Sequence, residues 1–169
     1  MKFPAETPKE SVFSKVEKAI TDLGFNIDKQ DQTRPWGGFF VLDESQAPQF
    51  IETYFPHLSV NDFGIGRKLS PKVLVVAPHK RLSWQYHFRR AEIWKVIGGT
   101  AGVVTSDTDQ QNEVQTLPVG TIINLKQGER HRLIGLEEWG IIAEIWQHTD
   151  PEKPSDEDDI VRVQDDFGR

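Results

Sequence analysis

The sequence predicts an all-β fold, an antiparallel sandwich or barrel with one helix added at the N-terminus. Eleven short apolar runs follow residue 24, separated by turn-forming residues at near-regular intervals, which is the pattern of sandwiches and barrels. One segment ahead of them carries a helical period instead. Ten phenylalanines and five tryptophans, within 37% hydrophobic residues, supply a core. A chain of 169 residues suffices for one domain burying roughly 70% of its unfolded surface.

The helix comes first. Thr7 is placed to cap it, Pro8 suits the first helical position, and Glu10 completes a capping box. Val12, Phe13, Val16, Ile20 and Leu23 then fall on one face, and Gly24 terminates the run. The expectation is a helix over about 8 to 23, so that residues 1–24 pack on a β domain of residues 25–169, one domain overall.

The predicted strands cover residues 25–27, 38–42, 50–55, 72–77, 82–88 and 93–97, then 102–105, 113–117, 121–125, 131–134 and 141–147. Turn signals at Gly37-Gly38, Gly98-Gly99, Pro118-Val119-Gly120 and Gln127-Gly128 punctuate them. The polar stretch from Thr105 to Asn112 reads as an exposed hairpin loop. After His148, two prolines and an acidic run read as loop, but apolar alternation at Ile160 and Val163 predicts that this end folds back on the body.

Charge and composition exclude several function classes. A net charge of −6 and a pI near 5.4 argue against nucleic-acid or anionic-membrane partners. The acidity is partly local, since Asp150 to Asp166 holds eight Asp or Glu. With no cysteine, disulfides, thiolate metal sites and cysteine nucleophiles are excluded, so any metal must take nitrogen and oxygen ligands. The N-terminus lacks the apolar core of a signal peptide, and no apolar run approaches the roughly 20 residues that span a bilayer. The default expectation is a cytoplasmic protein.

The chemistry concentrates in Arg81 to Gly99. On a strand Gln85 and His87 project from one face and Trp84, Tyr86 and Phe88 from the other. Glu92 follows close enough to return on the next strand, and His131, beyond the turn at Gly128, is the natural fourth member. A lone strand histidine is ordinarily a satisfied polar residue. Four candidates at compatible spacing favour a metal site of Gln85, His87, Glu92 and His131, suited to a divalent ion, Zn first and Mn, Fe, Co or Ni also. His57, His79 and His148 read as turn or surface residues. Arg81, Arg89, Arg90, Arg130 and Arg132 crowd the same region, which suits binding of phosphate or carboxylate, or pairing with the acidic tail. The apolar stripe Trp84, Tyr86, Phe88 needs cover from the helix or from a second copy, a homodimer.

These residues resemble a known family, the cupins, and in particular the isomerase cupin of type II mannose-6-phosphate isomerases, often fused to a mannose-1-phosphate guanylyltransferase. The matching segments are RPWG at Arg34 to Gly37, KRLSWQYHFRRAEIW, GTAGVV, the Pro118-Val119-Gly120 turn, HRL at 131–133 and the ending EDDIVRVQDDFGR, over roughly four-fifths of the chain. The resemblance implies a double-stranded β-helix barrel with the metal inside, bound by Gln85, His87, Glu92 and His131. It also implies aldose–ketose isomerisation of a sugar phosphate through an enediolate. Within that reading Glu144 is the candidate base, or else the partner of an arginine. Arg132 steadies the intermediate, and Arg81, Arg90 or Arg130 takes the phosphate. The rival is a non-catalytic cupin that binds a sugar or small acid. The family's QxHHHRAEHW stands here as QYHFRRAEIW, so Phe88, Arg89 and Ile93 replace histidines and are expected to alter the cavity wall. Arg130 replaces a proline and His79 a glycine. No Gly-rich nucleotide loop precedes the cupin, so guanylyltransferase activity is not expected.

Overall fold

The computed structural model describes residues 1–63 and 67–169. Helix α1 (Lys9–Asp22) is followed by β1 (Ile27–Asp31) and β2 (Gly37–Leu42), then by a short helix α2 (Ala47–Tyr54). The remaining strands are β3 (Lys72–Val76), β4 (Trp84–Tyr86), β5 (Arg90–Gly98), β6 (Ala101–Ser106), β7 (Gln115–Leu117), β8 (Ile122–Leu125), β9 (Arg130–Gly135), β10 (Gly140–His148) and β11 (Val161–Gln164). They form two antiparallel sheets, ordered β1-β2-β3-β10-β5-β8 and β11-β4-β9-β6-β7.

β10 shows how the sequence builds two cores. Its apolar run has Ile141, Ala143 and Ile145 in the cluster that the helices cover, while Ile142 joins a second cluster inside the barrel with Leu74, Val96 and Leu133. Both faces are buried, so the strand reads as a continuous apolar run without polar alternation. Glu144 shares the inner face, and it is the one charged residue in that run.

Helix α1 buries Val12, Phe13, Val16 and Ile20 as their spacing predicts, but Leu23 lies outside the face at 49% exposure. Phe13 packs on Phe40 with ring centroids 5.5 Å apart. That approach depends on Gly38, where a Cβ would lie 2.8 Å from Phe13 Cζ and 2.1 Å from the Asp31 carbonyl. Thr7 does not cap the helix. Its amide closes a turn onto Pro4 O at 3.0 Å, and Pro8 becomes the capping position, with no side-chain cap bond. At the other end Gly24, at φ 83°, completes a Schellman-type stop, with Gly24 N donating to Thr21 O and Phe25 N to Ile20 O.

The strand expected at 50–55 is instead α2. Pro48 in the first turn and the buried triplet Ala47, Phe50, Ile51 give it a helical face. Phe50 and Tyr54, four residues apart, meet edge-on at 4.8 Å. An aromatic-rich run of six residues fits either period, and packing decides it. The C-terminal return is present as β11 paired with β4. None of the described helices is long and apolar enough to cross a membrane.

His79 occupies a position that favours glycine. Lys80 N donates to Ala77 O at 3.2 Å, closing a turn with Pro78 second and His79 third at φ 58°. A left-handed conformation costs an L-residue about 1–2 kcal/mol, partly offset by the extra unfolded-state entropy of glycine. His79→Gly is therefore expected to stabilise the protein by up to about 1 kcal/mol, read as a higher denaturant midpoint at unchanged m-value. A lower midpoint would contradict the strain at this turn.

Candidate metal centre

Three strands bring the site together. β4 and β9 meet with Gln85 opposite His131, and β5 begins at Arg90 with Glu92 facing the barrel interior. Between β4 and β5 the chain must turn, and Asp159 holds that turn. Its carboxylate accepts from Phe88 N at 2.9 Å, Arg89 N at 3.0 Å and Ser155 Oγ at 2.6 Å, while its carbonyl faces His87 Nδ1 at 2.7 Å. Burial pushes the Asp159 carboxyl up, but these donors outweigh it and hold the group below its ordinary value.

His87, Glu92 and His131 are all buried, and their donor atoms lie within 4.8 Å of one another. Glu92 Oε1 is 3.1 Å from His87 Nε2, and Oε2 is 3.5 Å from His131 Nε2. Each imidazole turns Nδ1 to a backbone carbonyl, His87 to Asp159 and His131 to Glu129 at 3.0 Å. Those contacts are favourable with the proton on Nδ1, which leaves the Nε2 lone pairs aimed at a carboxylate. Such a cluster calls for a positive charge. His131 Nε2 is buried with no hydrogen-bond partner among the described residues. Burial alone would push the His131 pKa down, yet Glu92 holds it above the usual value. Burial likewise pushes Glu92 up, and His87, Arg90 and His131 outweigh it and hold it well below the carboxylate range. Two imidazole nitrogens and a carboxylate are a donor set that fits a divalent metal. Gln85, in register with His131 and held by Ser83 Oγ at 2.5 Å, stands beside them.

The cluster adjoins a cavity of about 460 Å³, with Gln85, Glu92, Trp94 and Glu144 in its wall. Seven lysines or arginines and four acids line it, an excess of cations in a chain of net charge −6. Glu144 is 6% exposed and makes no hydrogen bond or ion pair among the described residues. The arginine partnership left open by the sequence is therefore not formed. Burial, then the charge of Glu92, raises its pKa to about 7 against the opposing pull of Lys72, Arg90 and His131.

Most of the arginines do not reach the cavity. Arg81 pairs with Asp166 at 2.7 Å, and Arg130 pairs with Asp109 at 2.8 Å while stacking on Tyr86. Arg132 alternates with His131 along β9, so its side chain leaves the barrel and donates to Gln111 and Gln164. It is not placed to steady an intermediate. Arg90 does line the cavity, but its guanidinium is engaged by Glu92 at 2.9 Å, Ser155, and the carbonyls of Asp156 and Asp159, and lies 3.9 Å from the Trp146 ring centre. The expected change in the cavity wall is also absent. Phe88 is exposed, Arg89 pairs with Asp156, and Ile93 sits in the outer core under the helices. In the apolar stripe opposite Gln85, Trp84 is buried and donates to Asp109 O in the 107–114 loop, while Phe88 is exposed.

The other cations that line the cavity were given no role by the sequence. They include Arg34, Lys72, Arg162 and Arg169. Arg34, Arg162 and Arg169 lie in the RPWG, DDIVR and FGR segments, which were legible as motifs without an assigned function.

Comparison with known proteins agrees with this architecture. The family described as mannose-6-phosphate isomerase C-terminal matches residues 46–165. The alginate biosynthesis protein AlgA of Pseudomonas aeruginosa is 31% identical over 128 residues, covering 74% of this chain and 24% of that protein. The xanthan biosynthesis protein XanB of Xanthomonas campestris is 29% identical over 130 residues, 74% of this chain and 25% of that one. The mannose-1-phosphate guanylyltransferase ManC of Salmonella typhimurium is 32% identical over 118 residues, 70% and 23% respectively. The chain thus spans about a quarter of the length of these curated relatives. Among solved structures, the capsular polysaccharide assembling protein CapF of Staphylococcus aureus superposes with a TM-score of 0.52 at 12% identity, over 79% of this chain and 33% of that one, which supports the fold alone. With two antiparallel sheets closing on a His–Glu–His cluster and a family match over most of its length, the chain belongs to the mannose-6-phosphate isomerase C-terminal family of cupins.

Proposed function

We propose that the protein is a metal-dependent aldose–ketose isomerase acting on a sugar phosphate, with mannose 6-phosphate and fructose 6-phosphate the foremost pair. The observation that carries this reading is Glu144, a buried carboxyl with no partner among the described residues, raised to about 7, in the same cavity wall as Glu92 of the metal cluster. A base tuned near neutrality is what proton transfer between adjacent carbons requires. Gln85, His87, Glu92 and His131 would hold the metal, with Zn the first choice among Zn, Mn, Fe, Co and Ni. Bound there, it would supply the positive charge that stabilises a developing enediolate. Glu144 takes the proton from C2 of the open-chain aldose, the electron pair forms the C1–C2 double bond, and C1 oxygen gains the charge. A proton passes from O2 to O1, and return of the first proton to C1 leaves the carbonyl at C2 and a hydroxyl at C1. Trp94, beside Glu144 on the next strand, walls off water from this exchange.

A second reading rests on Arg90, whose guanidinium already lies against Glu92 at 2.9 Å and 3.4 Å from His87 Nε2. An arginine neutralising the cluster suits a cavity that binds a sugar or small acid without turning it over.

Elemental analysis followed by a coupled mannose 6-phosphate assay separates the two. Under the isomerase reading, His87→Ala and His131→Ala remove both bound metal and turnover while circular dichroism stays unchanged. Isomerase activity that survives metal stripping would sink it.

Glu144 yields a second expectation, with two readouts. Glu144→Gln lowers kcat by about 10²- to 10⁴-fold, and wild-type kcat/KM climbs with pH through about 7 as the base ionises. In the metal-free protein the sign for stability is opposite. A folded pKa of about 7, above the ordinary glutamate value of 4.5, means that the folded state holds this proton more tightly. The Glu144 contribution is complete below about pH 4.5 and is lost as pH rises through 7. Denaturant midpoints of metal-free wild type should fall between about pH 5 and about pH 8 more steeply than those of Glu144→Gln.

A further inference from the structure

The three segments RPWG, DDIVR and FGR lie far apart in the chain, and each sends one arginine to the same cavity: Arg34, Arg162 and Arg169. We infer that this mouth is the docking site for the phosphate monoester of the substrate, with Arg162 as its principal ligand and Arg34 and Arg169 at its sides. The assignment rests on the isomerase reading for the sugar, but not for the anion.

Register places Arg162. On β11 it is opposite Gln85 of β4, and Gln85 is opposite His131 of β9. Cross-strand partners project to the same face, so Arg162 shares the inner face with the metal cluster. With strands about 4.8 Å apart, its Cα lies about 10 Å along the sheet from that of His131. That separation lets a sugar place its reacting carbons at the cluster and its phosphate at the rim.

Among the arginines of the cavity, charge singles out the same residue. Lys68 and Lys72 both bind Glu157, at 3.2 and 3.3 Å, and Arg90 binds Glu92. Arg169 pairs with Asp165 at 2.9 Å. Arg34 Nε lies 2.8 Å from Asp31 Oδ2 but off the hydrogen-bonding angle, so that buried N–H is unsatisfied. Arg162 has no hydrogen-bonded or ion-paired side-chain partner among the described residues. Arg162 is exposed at the cavity mouth; its partial burial there pushes the pKa down, and Arg169 and Arg34 add to this against the pull of Asp165. An arginine held among arginines is an arrangement that a dianion relieves, and the guanidinium fork matches phosphate oxygens in pairs. Arg81 and Arg130, bound to Asp166 and Asp109 away from the cavity, offer no such fork.

Calorimetric titration with inorganic phosphate, mannose 6-phosphate and mannose tests the site without requiring turnover. Wild type should bind the two phosphates and not the free sugar. Arg162→Gln should weaken both phosphates by about 10- to 100-fold, with Arg162→Lys intermediate because the charge returns without the fork, and the surface variant Lys18→Gln unchanged. In turnover, Arg162→Gln should raise KM for mannose 6-phosphate by a similar factor with a smaller change in kcat. Arg162-dependent phosphate binding without isomerisation would overturn the isomerase reading and leave the subsite standing. Undetectable phosphate binding to wild type, or an Arg162→Gln variant with wild-type phosphate affinity and KM, would overturn the subsite.

Discussion

Burying the Glu92 carboxylate is the constraint on which the rest of the molecule turns. An ionised carboxylate removed from water costs several kcal/mol unless partners replace its hydration. Here they come from four residues at three places: His87 beyond β4, Arg90 and the Trp94 indole on β5, and His131 on β9. Those residues converge when the two sheets close, so the barrel and the charge cluster require each other. Arg90 in turn is held by Ser155 and by the carbonyls of Asp156 and Asp159. The acidic tail is thereby drawn back against the body, and β11 follows from it.

The tail has two structural roles at two scales. Asp159 fixes the turn that aims His87, through backbone amides rather than through the imidazole alone. Three residues later, Arg162 reaches the cavity from the next strand. A run that composition marks as solvated acidic loop thus connects the cluster to the rim, and half of its eight acids, Asp156, Asp159, Asp165 and Asp166, face arginines. Arg81, Arg89 and Arg169 each meet at least one of them.

This explains which parts of the fold and site were legible in the sequence. Period-two spacing placed Gln85 and His87 on one face, and the turn at Gly128 returned His131 to them, because both depend on local geometry. The helix was legible through its apolar face, though its cap was not, since Thr7 is taken by a turn onto Pro4. The arginines were misassigned because proximity in sequence does not decide the face: Arg132 is adjacent to His131 and for that reason points the other way. Ile93 fails as a wall residue by the same alternation, one position from Glu92. Arg162 depends on long-range pairing of β11 with β4, which no local pattern encodes.

Glu92 and Glu144 complete the argument. They stand on the neighbouring strands β5 and β10, each facing the same cavity, in environments that drive them apart. Glu92 is surrounded by cationic groups and is held ionised, while Glu144 lacks a partner among the described residues and is raised to about 7, in part by the charge on Glu92. Two like groups with separated proton affinities can divide a reaction between holding charge and moving a proton. The replacements Phe88, Arg89 and Ile93 leave this pair untouched, since none of them lines the cavity. The donor cluster, the poised carboxyl and the cationic rim therefore survive together in one cavity, and changes outside it act on the turn and the outer core rather than on the chemistry.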